Sequence, residues 1–376
     1  MAGDDSTVGI RYDPDVVLRW RTRAFVIVFG LVTVAFAADL AGNPIRAVPW
    51  DLTQLDWLFV LSVIVFLAYV GVPLAANRSL TATYWAQLRK NRLATASLVY
   101  LVCLFLAGTL GPVVIGFQPS ELIRGFQPPL LTSVPASVPP QCVGPVVDGA
   151  CHGSLAHPLG TNGQGQDMLQ LILAGSRVAL EVAFVASMLM VPIGTTVGIV
   201  AGFRGGLIDQ ALMRYVDIQT VIPAFLVYLV LIFVFGRSLF LVVVVFGLFS
   251  WGGVARLVRS EVLQRREAPY VEAAKVSGAG RRYLIRRVLL PNISSTILTE
   301  VTRKASYLVL IEAALAFMEL SETGTGSWGE LISDGMGQFF PMTWWISTVP
   351  VVALTLTVVA FSVLGDALRD VLDPAR

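Results

Sequence analysis

Long apolar runs set the limits on what this chain can fold into. They fall near 24–41, 56–76, 94–116, 178–202, 213–235, 239–256, 296–318 and 343–365, with polar or basic stretches between most of them. A run of this length can cross a bilayer as a helix, where the backbone must satisfy its own hydrogen bonds. Hydrophobic residues make up 55% of the chain and charged residues 14%, against about 25% charged in soluble domains. The expectation is an all-α, polytopic membrane protein with about eight transmembrane helices. The polar stretch 1–23 leads into the first run, and no small-residue cleavage site follows it. That run is therefore expected to stay as a span and not to leave as a signal peptide.

Positive charge orients the spans. If the N-terminus lies inside and the spans alternate, the inner segments hold 21 Lys/Arg and the outer segments four: Arg46, Arg124, Arg177 and Arg237. Arg303 and Lys304 remain, early in the run 296–318. Such a bias places both termini in the cytoplasm and the chain in the cell (plasma or inner) membrane. Net charge is only +2, so no nucleic-acid partner is indicated. Three cysteines without a C-x-x-C pair and two histidines, His152 and His157, give no zinc pattern. The lysines are Lys90, Lys275 and Lys304, and none follows a glycine, so a Walker A loop is missing and no cofactor is implied.

The most basic loop is 257–292. Arg281, Arg282, Arg286 and Arg287 crowd together there, with Arg259, Arg265 and Arg266 upstream. Pro269 suits the first turn of a short helix, and Gly278 suits a left-handed stop. A second short helix should follow, with Leu284, Ile285, Val288 and Leu289 on one side and the arginines on the other, until Pro291 closes it. On the arginines alone, a solvated interfacial loop would suffice.

The full string, Glu272-Ala-Ala, three residues, Gly278, nine residues, Val288, one residue, Leu290-Pro291, resembles the EAA loop of ABC-importer permeases. Val288 stands where that family usually has Ile. In the family this loop is the coupling helix that docks on the ATP-hydrolysing subunit. The resemblance implies that Tyr270, Glu272, Ala273, Ala274, Gly278 and Pro291 form the ATPase-coupling site. His157 to Arg177, HPLGTNGQGQDMLQLILAGSR, is similar to the segment before the permease core in the dipeptide/oligopeptide/nickel branch. There the usual Asp and Arg are replaced by Asn162 and Gln166. An Asn–Gln hydrogen bond could stand where an ion pair would have been. Ala201 to Asp217 and the end from Leu364 also resemble the family, so the likeness covers roughly 90–376.

The resemblance divides the chain into an N-terminal extension with two extra helices (1–89), an N-terminal permease helix (90–116), an extracytoplasmic loop (117–177) and a five-helix core (178–376). It implies a permease subunit of an ATP-driven importer of di- or oligopeptides, with nickel or another small solute as the alternative cargo. The implied partners are a second homologous permease, two ATP-binding cassette subunits and an extracytoplasmic substrate-binding protein, in a lipid bilayer. An ion-gradient-driven secondary transporter would call for inverted repeats with broken helices, and none is seen. An intramembrane enzyme would need catalytic residues within the bilayer, yet both histidines are in the outer loop and G-x-S-x-G is absent.

Other residues carry expectations of their own. Glu181 and Glu312 lie within spans and either touch the translocation path or hydrogen-bond between helices. Cys142 and Cys151 sit in the outer loop, an oxidising setting, where a disulfide or two free thiols are both compatible with the sequence; Cys103 lies in a span and should stay reduced. Gly324 to Gly329 fits G-x-G-x-x-G but follows no strand, so it reads as a turn near the pore mouth.

Overall fold

The computed structural model describes Phe25 and residues 28–38, 53–115, 120–338 and 341–372. The expected unprocessed N-terminus, 1–23, and parts of the first span, 24–41, lie outside the described residues. Packing divides the chain into two compact units, Met1–Thr81 and Ala82–Arg376.

In the first unit, α1 (Val28–Ala38) is short and apolar. α2 (Gln54–Phe66) starts at Thr53, whose hydroxyl accepts from Asp56 N while the Asp56 carboxylate accepts from Thr53 N, a capping box. A π turn over Leu67–Gly71 links α2 to α3 (Val72–Ala76), and together they make one apolar stretch of 23 residues. α4 (Arg78–Leu88) runs across the dividing point.

The second unit holds α5 (Arg92–Ile115), α6 (Met168–Arg204), α7 (Gly206–Val221), α8 (Ala224–Phe235) and α9 (Leu239–Arg265). α10 (Pro269–Val276) and α11 (Arg281–Tyr283) then lead through a π segment, Leu284–Leu289, into α12 (Leu290–Phe317). The short α13 (Trp328–Gly337) and α14 (Trp345–Leu372) complete it. At 37 residues, α6 is about 55 Å long. It outreaches the roughly 30 Å hydrocarbon core, so its ends stand in polar surroundings.

Of the eight expected spans, part of the first, 24–41, lies outside the described residues. Among the described residues five helices are long and apolar enough to cross a membrane, or six if α7 and α8 count as one broken span. The expected span 213–235 bends by 65° between them, because Pro223 cannot donate a helical hydrogen bond and holds Ile222 extended at ψ 116°. The expected span 296–318 is a helix, α12, that carries four charged residues, Glu300, Arg303, Lys304 and Glu312.

α6 and α9 form the centre of the packing. Gly194, Gly198 and Gly202 recur every four residues on α6, facing Val254, Val258 and Val262 of α9. A Cβ at Gly198 would lie 2.6 Å from Ala255 O, so only glycine permits this approach. Small residues at i, i+4 and i+8 are the usual means of close helix contact in membranes.

The segment between α5 and α6 adds one small sheet to the all-α fold. Ser133–Pro135 (β1), Val146–Val147 (β2) and Ala150–His152 (β3) form an antiparallel sheet in the order β1-β3-β2. Asp148 and Gly149, at φ +50° and +75°, make the two-residue turn between β2 and β3; positive φ at both central residues is what a tight hairpin requires. A Cys142–Cys151 disulfide, with Cα atoms 5.8 Å apart, braces the loop onto the sheet.

Candidate functional site

α10 is built to present one face and anchor the other. Pro269 is its first residue, after an extended Ala268 (φ −71°, ψ 145°). Gly278 has φ +83°. Gly278 N donates to Lys275 O at 2.9 Å and Ala279 N to Ala274 O at 3.0 Å, the paired bonds of a Schellman stop. Val271 is fully buried in a cluster with Val258, Val262, Leu284, Leu289 and Ile293. One side chain thus joins α10 to both α9 and the start of α12. Tyr270, Glu272, Ala273 and Val276 face outward, with Val276 84% exposed. Lys275 Nζ lies 3.6 Å from Glu272, and their side chains are 44% and 66% exposed, so this pair adds little to stability.

The expected second helix is corrected: Pro291 closes nothing. Helical backbone runs on from Arg281 to Phe317, with Pro291 in the first turn of α12. The π segment just before it widens the hydrogen-bond register, which accommodates a residue that has no N–H. Within this segment Leu284 and Leu289 are buried, and Arg281, Arg282, Arg286 and Arg287 are exposed.

The C-terminal end of α9 is tied to the start of α7 and the end of α6. Arg259 donates through Nε and Nη2 to both carboxylate oxygens of Asp209. This planar, two-point contact cannot rotate freely. Arg266 Nη1 donates to Gly202 O at 3.0 Å, just before Gly205 ends α6 at φ +64°. These contacts gather α6, α7, α9, α10 and the start of α12 around one cluster.

At the opposite end the segment from His157 folds into a closed knot. Asn162 Nδ2 donates to Gln166 Oε1 at 2.9 Å, and Asn162 Oδ1 accepts from Gln164 N and Gln166 N at 3.1 and 2.9 Å. The two side chains that replace the usual charges do meet. His157 Nδ1 and Asp167 Oδ2 lie 2.8 Å apart, both buried, and Asp167 Oδ1 caps α6 by accepting from Leu169 N. Trp345 Nε1 donates to Thr161 O at 3.1 Å, fixing the knot on α14.

Glu181 and Glu312 both lie inside the chain, 6% and 3% exposed. Arg177 Nε donates to Glu181 at 2.9 Å, while Glu312 Oε1 has no hydrogen-bond partner among the described residues. Gly324 and Gly326 form a positive-φ turn whose amides donate to Glu330. Among the described residues no cluster of His, Cys, Asp and Glu suits a metal ion. The glycine stripe on α6 and the Arg259–Asp209 tie went unnoticed at the sequence level. The four-residue glycine spacing was a visible signal for the first; the 50 residues between Arg259 and Asp209 hid the second.

The family described as "Binding-protein-dependent transport system inner membrane component" matches residues 194–376. "N-terminal TM domain of oligopeptide transport permease C" matches 79–129. The dipeptide transport system permease protein DppC of Bacillus subtilis (strain 168) is 33% identical over 297 residues, 79% of this chain and 86% of that protein. The oligopeptide transport system permease protein OppC of Escherichia coli (strain K12) is 29% identical over 299 residues, 79% and 92% of the two chains. A solved structure of the MetNI methionine ABC transporter, in inward-facing conformations, aligns with a TM-score of 0.46 at 20% identity, covering 55% of this chain and 98% of that one.

Proposed function

Since the chain belongs to the binding-protein-dependent transport permeases, in their C-type Opp/Dpp branch, we propose that it forms half of a path carrying di- or oligopeptides into the cell. The other half is a second, homologous permease. Two separate ATP-binding cassette subunits dock on the cytoplasmic side, and an extracytoplasmic binding protein delivers cargo to the outer side. Both termini lie in the cytoplasm. Residues 178–376 are the core of the path, 117–177 the delivery face, and 1–89 an extension beyond the common plan.

The single observation that supports this reading is the two-sided build of α10. Val271 is locked into the α9–α12 cluster, and Tyr270, Glu272, Ala273 and Val276 form an exposed face that can meet a partner. Closure of an ATPase dimer would push on that outer face. Through Val271 and the Arg259–Asp209 tie, the push would tilt α6, α9 and α12 together. The path would thereby swap between outward and inward access. Glu272 stands in the first turn of α10, where its carboxylate suits the positive end of the helix dipole and can meet a basic group of the ATPase.

The test is co-purification of the ATPase subunits, with cargo-stimulated ATP hydrolysis and uptake in proteoliposomes. Glu272→Ala should weaken docking by roughly tenfold to a hundredfold, the loss of a charge-assisted contact of about 1.5–3 kcal/mol. Gly278→Val forces a β-branched residue to positive φ and should disrupt the helix stop, although space for a side chain is open there. Normal ATPase binding and transport in both variants would falsify the coupling role.

A further inference from the structure

Within the expected span 296–318, α12 carries charge on its outward face. Arg303 and Lys304 stand seven and eight residues inside the expected span 296–318, about 10 Å along the axis. The Arg303 side chain is 70% exposed, and Tyr307, one turn further in, is 51% exposed. Leu310 continues the same stripe. A charged side chain at that depth is costly against lipid and is found facing protein or water.

The charges on this face do not cancel. Arg303 donates to Glu300, which lies beneath it and is 6% exposed. That pair is neutral. Lys304 has no carboxylate partner among the described residues, and its Nζ lies 5.6 Å from the centre of the Tyr307 ring. Gly253 of α9 lies beneath: a Cβ there would sit 3.7 Å from Lys304 Cε, 3.9 Å from its Nζ and 3.8 Å from Glu300 Oε1. One half-buried ammonium, held beside the exposed Tyr307 ring, is left over.

The geometry points to this face of α12 as a wall of the water-filled path, with Lys304 and Tyr307 forming a station for an anionic group on the cargo. This rests on the permease reading above. In a peptide the group is the terminal carboxylate, which takes a charge-assisted hydrogen bond from an ammonium. Glu181 and Glu312 are buried within the chain, whereas a path shared by two chains must run along exposed surface. The station deepens the cargo reading without depending on the binding protein.

The experiment uses the assembled complex in proteoliposomes, with Cys103→Ser as background. Tyr307→Cys is exposed to anionic sulfonatoethyl methanethiosulfonate and to the cationic trimethylammonium reagent. Phe233→Cys, on the apolar α8 where Phe233 is 94% exposed, serves as the lipid-facing control. The thiol at 307 should react while that at 233 stays silent. The anionic reagent should be faster on the order of tenfold, as expected for one nearby positive charge, and Lys304→Gln should bring the two rates together. Leu310→Cys replaces Tyr307→Cys if the latter fails to assemble. A silent thiol on this face overturns the wall; an unchanged rate ratio in Lys304→Gln overturns the anion station. Uptake of dialanine by the unmodified complex is measured alongside. If dialanine is not imported, the peptide reading falls, and the thiol rates still decide this inference.

Discussion

At residue scale, the pair Asn162 and Gln166 shows how a charge pair can be replaced without losing the fold. Asn162 holds two backbone amides through one oxygen and still reaches Gln166 with its nitrogen. Asn162→Ala strands those amides, at a cost of about 1–3 kcal/mol. Asn162→Asp keeps the acceptor but turns a carboxylate toward Gln166 Oε1, and it should destabilise the outer knot as well. Adding Gln166→Arg to Asn162→Asp should restore it as an ion pair. Thermal unfolding of the solubilised protein, read together with protease cleavage between 117 and 167, checks all three variants. Equal melting for Asn162→Asp with and without Gln166→Arg would remove the pairing argument.

Two elements carry predictions. The first is the α6–α9 contact. Gly198 leaves no room for a side chain between Ala255 O and Val258, so Gly198→Ile should cost about 3 kcal/mol through overpacking. The same change at Gly280, where nothing lies within 4 Å of an added Cβ, should be far milder. Melting temperatures of the two variants, at matched expression, decide whether the glycine stripe sets the distance between the helices. The second element is the outer sheet. The disulfide closes a loop between Cys142 and Cys151, and in the loop-entropy model such a closure is worth about 2–3 kcal/mol. Replacing both cysteines with serine should loosen the sheet, raise proteolysis within 133–152, and leave ATPase binding untouched. Labelling of both native cysteines without reductant would refute the bond in the mature protein.

For the whole molecule, the division at Thr81 and Ala82 makes a direct prediction. A chain starting at Ala82 has its own buried centre around α6, α9 and α12. It should insert and retain the ATPase subunits and the second permease. Co-purification from membranes, compared with the full-length protein, is the measurement; loss of either partner would assign 1–81 a part in assembly.

The sequence by itself determined that this is a membrane protein with helical spans, and it located α10 from Pro269, Glu272 and Gly278. These follow from local causes: apolar run length, the fixed φ of proline and the freedom of glycine at positive φ. The bend that Pro223 puts into one run, 65° between α7 and α8, has a local cause as well. Other features depend on residues distant in sequence. Which charges matter is one of these. Glu181 and Glu312, both within apolar runs, lie inside the chain, while Arg303 stands outward on α12 with Lys304 half-buried beside it. A charge in a span announces itself in the sequence, but the face it occupies is decided only when α9 and α12 pack and bury one side of the helix.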